Sequence, residues 1–143
     1  MVISTSPQVS RLQRRTGRAL TGLVALFLLL GAGMKLVPLS QVTDTMRALG
    51  FADSAGLSQG LGVLMLVITA LHVIPRTAAL GAVLLTGYLG GAMAIQLRVG
   101  APVFTHLLFG AYVACLMWAG LLLRSPQLRA ALLSTSFPSR STA

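Results

Sequence analysis

Residues 77–97, TAALGAVLLTGYLGGAMAIQL, form an uncharged apolar stretch between Arg76 and Arg98. About 20 apolar residues in a helix are enough to cross the hydrocarbon core of a bilayer. The stretch therefore predicts a transmembrane helix. The chain has three further stretches of this kind, and the four predicted spans are residues 19–37, 55–74, 77–97 and 102–123.

The composition of the chain supports an all-α membrane protein. Of its 143 residues, 55% are hydrophobic and only 9% are charged, and the mean hydropathy is +0.85. A soluble domain of this length carries far more charge. We predict a bundle of four transmembrane helices over residues 19–124, preceded by a basic cytoplasmic arm (1–18) and followed by a disordered cytoplasmic tail (125–143) that is rich in Ser, Pro and Arg.

The first predicted span contains one charged residue, Lys35, near its end. A lysine at this depth extends its ammonium group to the interface while its aliphatic stem stays among apolar neighbours. The alternative interpretation is a cleaved signal peptide, with Arg11 to Arg18 as the basic region and Leu23 to Leu30 as the apolar region. Three further spans follow and no A-x-A cleavage site precedes Lys35, so we favour a span.

The distribution of basic residues predicts the orientation, because short loops rich in Lys and Arg remain in the cytoplasm. Four spans put both termini on one side, and eight of the eleven basic residues lie on that side. These eight are Arg11, Arg14, Arg15, Arg18, Arg76, Arg124, Arg129 and Arg140. The opposite side has Lys35, Arg47 and Arg98. Both termini are therefore predicted to be cytoplasmic. The basic arm lacks interleaved aromatic residues, so we expect it to face anionic lipid and not nucleic acid.

Two connections and two glycine pairs carry further local information. In residues 38–54, the near-helical spacing of Val42, Met46 and Leu49 predicts a short interfacial helix that Gly50 ends. The tight turn at Pro75 predicts that the second and third spans are antiparallel neighbours. The pairs Gly56/Gly60 and Gly87/Gly91 are GxxxG motifs, which indicate either close helix packing or ordinary glycine richness.

Several runs of residues resemble the DoxX-like family of small membrane proteins. They are HVIPRTAALG (72–81), LLTGYLGGA (84–92), LRVG (97–100), GMKL (33–36) and WAGLLLR (118–124). The resemblance covers about residues 18–124 and implies a four-helix fold in a bacterial inner membrane. The family takes its name from a subunit linked to thiosulfate:quinone oxidoreduction. Relatives often have a glutamate where this chain has Met65, and a histidine where it has Gln96.

Candidate binding residues gather at one predicted membrane depth. Lys35, Gln96, Arg98 and His106, together with Thr105, are all expected near the outer face, below Asp44 and Asp53. Ionisable side chains at this depth are a hypothesis of function by default. In the alternative, Lys35 and Arg98 anchor the helices by pairing with Asp44 or Asp53, and His106 caps the bundle.

Two other positions have open interpretations. Tyr88 lies beside Gly87, Gly90 and Gly91, so it either borders an apolar pocket for a quinone or lipid tail or donates a hydrogen bond to another helix. His72 lies one turn before Pro75 at the predicted inner face, where it either belongs to a second polar group or sits at the headgroups.

The chain shows no motif of a known enzyme class. With one cysteine and two histidines at opposite faces, it is predicted to hold no metal and no haem or other resident cofactor. We predict an accessory or small-ligand-binding membrane subunit, linked to quinone or oxidative-stress pathways through a membrane oxidoreductase partner, and a homo-oligomer is a further candidate assembly. The alternative is a membrane-embedded enzyme acting on a lipophilic small molecule at the outer-face cluster.

Overall fold

Six helices make up the part of the chain that the computed structural model describes, residues 10–37, 40–51, 54–102, 104 and 108–133. They are α1 (Arg11–Leu36), α2 (Ser40–Ala48), α3 (Ser54–Val73), α4 (Ala78–Arg98), α5 (Phe109–Arg124) and α6 (Pro126–Leu133). No strand occurs in these residues. The prediction of an all-helical chain is confirmed.

The four longest helices form a closed ring. Helix α1 packs against α3 and α5, and α4 packs against the same two helices on the other side. The short turn at Pro75 makes α3 and α4 antiparallel neighbours, as predicted. Helix α2 lies against α3 and closes one end of the ring, which we call the α2 end. The start of α1, the α3–α4 turn and the end of α5 form the opposite end, which we call the terminal end.

Three helices are long and apolar enough to cross a membrane: α1, α3 over Ala55–Val73, and α4. Helix α5 has 16 residues and meets α6 at an angle of 109°. If that bent pair counts as one span, the described residues contain four. Many large apolar side chains point outward from these helices, including Leu30, which is 62% exposed. Outward apolar side chains on spanning helices suit contact with lipid, because lipid tails are as apolar as leucine.

Helix α1 begins earlier than the predicted span. The Ser10 side chain accepts a hydrogen bond from the Gln13 backbone, and the Gln13 side chain accepts one from the Ser10 backbone. This reciprocal capping box satisfies two backbone N–H groups at the start of the helix. The arginines at 11, 14, 15 and 18, which we assigned to an arm, therefore belong to the same helix as the first span.

The tail also differs from the prediction in its first part. We expected residues 125–143 to be disordered, but Pro126–Leu133 forms α6. Proline suits the first position of a helix because its missing N–H has no partner there in any case. Residues 134–143 lie outside the described residues.

The connection between α1 and α3 agrees with the sequence pattern. The predicted short helix is present as α2, and Gly50 follows it with a φ of +86°. The Gly50 N–H donates to the Arg47 carbonyl over 2.8 Å. This φ value is one that side-chain-bearing residues rarely adopt, so glycine allows the chain to turn here.

Close helix packing occurs at glycines outside the predicted GxxxG pairs. A Cβ atom placed on Gly60, Gly87 or Gly91 would meet no other atom within 4 Å. By contrast, a Cβ on Gly81 would lie 2.6 Å from the His72 Cα, closer than real Cβ atoms approach. The tight-packing interpretation of the pair at 87 and 91 is therefore wrong within this chain, and the α4 glycine that lies against the backbone of α3 is Gly81.

Candidate functional site

A cavity of 370 Å³ lies at the α2 end of the ring, between the last turn of α1, α2, α3 and α4. We call it the α2 cavity. Its volume is in the range of natural small-molecule sites. The lining residues come from all four helices and from the segment after α2: Lys35, Thr45, Met46, Leu49, Phe51, Leu61, Gly87, Tyr88, Gly91, Ala92, Ile95 and Gln96.

Helix α2 covers this cavity because it is amphipathic. Met46 is buried at 6% exposure and, with Leu49, presents apolar surface to the cavity. On the other side of the helix, the Arg47 guanidinium pairs with the Asp44 carboxylate at 3.4 Å, and both side chains are 69% exposed. Of the apolar residues predicted from the helical spacing, Met46 and Leu49 therefore cover the cavity, while the charged pair faces outward.

Lys35 is held at the edge of the cavity by close contact between α1 and α3. The Ser58 hydroxyl, which is buried, donates to the Lys35 backbone carbonyl over 3.2 Å. A Cβ on Gly62 would lie 3.1 Å from the Lys35 Cβ. These contacts fix the start of the side chain. Among the described residues, the ammonium group forms no ion pair, since Asp44 pairs with Arg47 instead.

Tyr88 takes part in a contact between helices and also lines the α2 cavity. Its hydroxyl donates to the Leu61 carbonyl of α3 over 3.5 Å, which is a hydrogen bond between helices. The same half-buried side chain lines the α2 cavity, beside Gly87 and Gly91. Because a Cβ on either glycine would have no neighbour within 4 Å, these two positions leave room that larger side chains would occupy.

The other predicted site residues have different placements. Gln96 lines the α2 cavity. Arg98 is exposed and does not line it, although its guanidinium approaches Gly50, to within 3.9 Å of a Cβ placed there. His106 lies outside the described residues, and so do Thr105 and Asp53. The structure thus brings Lys35, Tyr88 and Gln96 to one cavity and leaves Arg98 at its periphery.

The two positions at which the chain departs from its resemblance to other proteins have different surroundings. Met65 is buried in the core, and its terminal methyl lies 3.2 Å from a Cβ placed on Gly31 of α1. It fills space between α1 and α3 and does not line the cavity. Gln96 does line it. Of these two positions, Gln96 therefore belongs to the cavity itself, and Met65 belongs to the packing beside it.

The lining of the α2 cavity suits a lipophilic molecule that carries oxygen atoms. An ammonium group donates hydrogen bonds only, and a glutamine amide both donates and accepts. The remaining lining is largely aliphatic or aromatic. A carbonyl or carboxylate oxygen next to Lys35 and Gln96 would be satisfied, while the rest of the molecule would lie against Leu61 and Ile95.

The second polar group, at the terminal end, is built differently from the prediction. For His72 the sequence leaves open a second polar group or a position at the headgroups, and the structure buries its side chain at 0% exposure beneath α4, with Nδ1 3.3 Å from the Ala78 carbonyl. The Arg124 guanidinium donates to the His72 carbonyl over 2.6 Å and to the Val73 carbonyl over 3.5 Å. The sequence does not predict this contact, because nothing local to Arg124 indicates which helix it reaches.

No metal site is present among the described residues, which contain no group of three or more His, Cys, Asp or Glu side chains in suitable positions. Cys115 is exposed on α5 and has no disulfide partner, as expected for the single cysteine of the chain.

Comparison with known proteins gives one match. The description of the protein family that matches is "DoxX-like family", and the match covers residues 19–120. No curated protein matches the chain. No solved structure matches it either. The matched range includes α2, α3 and α4 in full. It also includes every described residue that lines the α2 cavity, from Lys35 to Gln96.

Proposed function

The chain belongs to the DoxX-like family, and from this premise we propose that it is an integral membrane subunit that binds a small lipophilic molecule in the α2 cavity. Its apolar helices make it a multi-pass membrane protein. The single observation that carries the proposal is that Lys35, Tyr88 and Gln96 line one cavity of 370 Å³ under α2.

We propose four spans, with α5 and its flanking residues as the fourth, and both termini in the cytoplasm of a bacterial cell. The charge distribution supports this orientation. The described part of the terminal end carries Arg11, Arg14, Arg15, Arg18, Arg76, Arg124 and Arg129. The α2 end carries Lys35, Arg47 and Arg98 together with the acidic Asp44. Under the positive-inside rule the terminal end is cytoplasmic and the α2 cavity opens toward the outer leaflet.

The ligand that best fits the cavity is a quinone-type molecule. A quinone has two carbonyl oxygens that accept hydrogen bonds, and a ring and tail that require apolar surroundings. The Lys35 ammonium and the Gln96 amide supply donors at one side, and Gly87 and Gly91 leave space for a flat ring along α4. A lipophilic carboxylate, such as a fatty acid, is the second class of molecule that the same lysine would attract.

An accessory role follows from this type of site. A protein that holds a lipophilic quinone at the membrane boundary serves a redox enzyme that delivers or removes electrons. We therefore propose a membrane oxidoreductase as the partner. Cross-linking in native membranes, followed by mass spectrometry of the captured proteins, identifies that partner directly.

Binding to the purified protein tests the proposal. We would measure the affinity of a short-chain ubiquinone analogue in detergent solution for the wild type, Lys35→Gln and Gln96→Leu. A hydrogen bond to a charged group contributes about 1.5–3 kcal/mol, so Lys35→Gln should weaken binding by about tenfold or more. Arg98→Gln is the matched control, because it removes a charge at the same end outside the cavity.

The results distinguish the possible ligands. Weaker quinone binding in Lys35→Gln and Gln96→Leu, with unchanged affinity in Arg98→Gln, supports the quinone site. If a fatty acid binds with the same pattern and the quinone does not, the site stands and its ligand is a carboxylate. If neither probe binds, or all three variants bind like the wild type, the α2 cavity is not the binding site.

A further inference from the structure

A second cavity, a groove of 430 Å³, lies on the outside of the ring at the terminal end. It runs along α1 and is bordered by the end of α3 and the end of α5. Its lining combines two arginines with an apolar wall, and it includes Arg18, Arg124, Gly22, Leu26, Leu29 and Val73. We call it the arginine groove. None of its residues lines the α2 cavity, so it is a separate site.

The two arginines share this groove because α1 and α5 touch through their backbones. A Cβ on Gly17 would lie 2.8 Å from the Arg124 backbone nitrogen and 2.9 Å from the Gly120 carbonyl oxygen. A Cβ on Gly120 would in turn lie 3.1 Å from the Thr21 hydroxyl. Arg18 directly follows Gly17 in the chain. The glycine contact therefore sets Arg18 and Arg124 beside each other.

Among the described residues, these positive charges have no negative partner at this end. The sequence has two acidic side chains, Asp44 and Asp53. Asp44 belongs to α2 at the other end, and Asp53 lies outside the described residues. Arg18 forms no ion pair among the described residues, in which the one ion pair joins Arg47 to Asp44. The Nε atom of Arg124 is buried and has no hydrogen-bond partner there.

The apolar wall of the groove faces away from the bundle. Leu26 is 56% exposed and Leu29 is 46% exposed, on a helix that is long and apolar enough to span a membrane. Gly22 leaves open space between them and the arginines, since a Cβ there would meet nothing within 4 Å. An acyl chain fits this surface, and the anion nearest the end of a spanning helix is a lipid phosphate.

We propose that the arginine groove binds one anionic phospholipid. Its phosphate lies between Arg18 and Arg124, and an acyl chain follows α1 past Gly22 toward Leu29. The described part of this end has no acidic side chain, and this selects the lipid headgroup. An ethanolamine or choline group would bring a cation next to two arginines with no carboxylate to accept it, whereas a glycerol headgroup brings none. Phosphatidylglycerol is therefore preferred over phosphatidylcholine.

Native mass spectrometry of the full chain in mild detergent tests this proposal. The wild type would be titrated separately with phosphatidylglycerol and phosphatidylcholine, and the fraction with one bound lipid measured. We expect preferential binding of phosphatidylglycerol. One arginine near a membrane surface adds about 1 kcal/mol to the attraction of anionic lipid, so Arg18→Gln should weaken that binding by about fivefold. Arg124 stays unchanged, because it also binds the end of α3.

Two pairs of variants supply the controls. Arg76→Gln removes an exposed charge at the same end but outside the groove, and it should retain wild-type binding. Gly22→Leu places a side chain in the acyl path and should reduce binding, whereas Gly60→Leu, at another open glycine, should not. Equal binding of the two lipids, equal effects of Arg18→Gln and Arg76→Gln, or unchanged binding in Gly22→Leu would each overturn the proposal.

Discussion

Replacing Gly81 with alanine tests whether α3 and α4 depend on a backbone contact at this glycine. The added Cβ would overlap the His72 backbone and would lie 2.8 Å from the Leu71 carbonyl carbon. The obstructing atoms are backbone atoms of a helix, so they cannot move aside as a flexible side chain does. The two helices must separate, which loosens the buried α4 face that includes Ala82 and Leu85.

The size of the effect follows from two opposing terms. Overpacking of a close-packed interior costs roughly 1–3 kcal/mol, and a backbone obstruction belongs at the upper end of that range. The exchange also stabilises the helix by about 1 kcal/mol, because alanine has a higher helix propensity than glycine. We expect Gly81→Ala to lower the free energy of unfolding by about 2 kcal/mol, which should lower the melting temperature by several degrees.

Thermal unfolding in detergent, followed by size-exclusion chromatography of the remaining folded protein, measures this effect. Gly90→Ala is the control, because it makes the same exchange in the same helix at a position where a Cβ would meet nothing within 4 Å. It should be as stable as the wild type or slightly more so. If Gly81→Ala and Gly90→Ala unfold at the same temperature, the close approach at Gly81 does not hold α3 against α4.

Two further predictions concern topology and packing between helices. Alkaline phosphatase fused after Asp44 or Val99 should be active in a bacterial host and inactive after Ser125, as the charge asymmetry requires; activity at Ser125 would contradict four spans with cytoplasmic termini. Thr86→Val should lower the free energy of unfolding by about 0.6–1 kcal/mol, because the Trp118 indole N–H donates to the Thr86 hydroxyl over 3.0 Å. If thermal unfolding shows the same stability as the wild type, this hydrogen bond contributes nothing.

The sequence predicts the helices of this protein well because few backbone conformations are stable in lipid. A segment in hydrocarbon must satisfy its backbone hydrogen bonds internally, so an apolar stretch of sufficient length becomes a helix. Hydropathy locates the apolar part of a helix, however, and not its end. Hydropathy therefore predicts that the first span begins at residue 19, although α1 begins at Arg11. The local signal for that start was present in Ser10 and Gln13.

Contacts between helices are predicted less well, because they depend on how each helix is rotated. The spacing of Gly87 and Gly91 is compatible with close packing, yet both face open space, while the isolated Gly81 lies against the backbone of α3. The candidate site shows the same limit. The sequence predicts a common membrane depth for Lys35, Gln96 and Arg98, because depth follows from position along each helix. The rotation of α4 about its axis determines that Gln96 lines the α2 cavity and Arg98 does not.

The bond from Arg124 to the end of α3 has a consequence for the order in which the protein is completed. During synthesis α3 and α4 emerge before α5. The carbonyl groups of His72 and Val73 therefore lack their hydrogen-bond donor until Arg124 has been synthesised. A chain interrupted before that residue retains an open helix end beside the histidine at 72. We therefore expect cellular proteases to degrade a chain that ends before Arg124 faster than a chain that includes it.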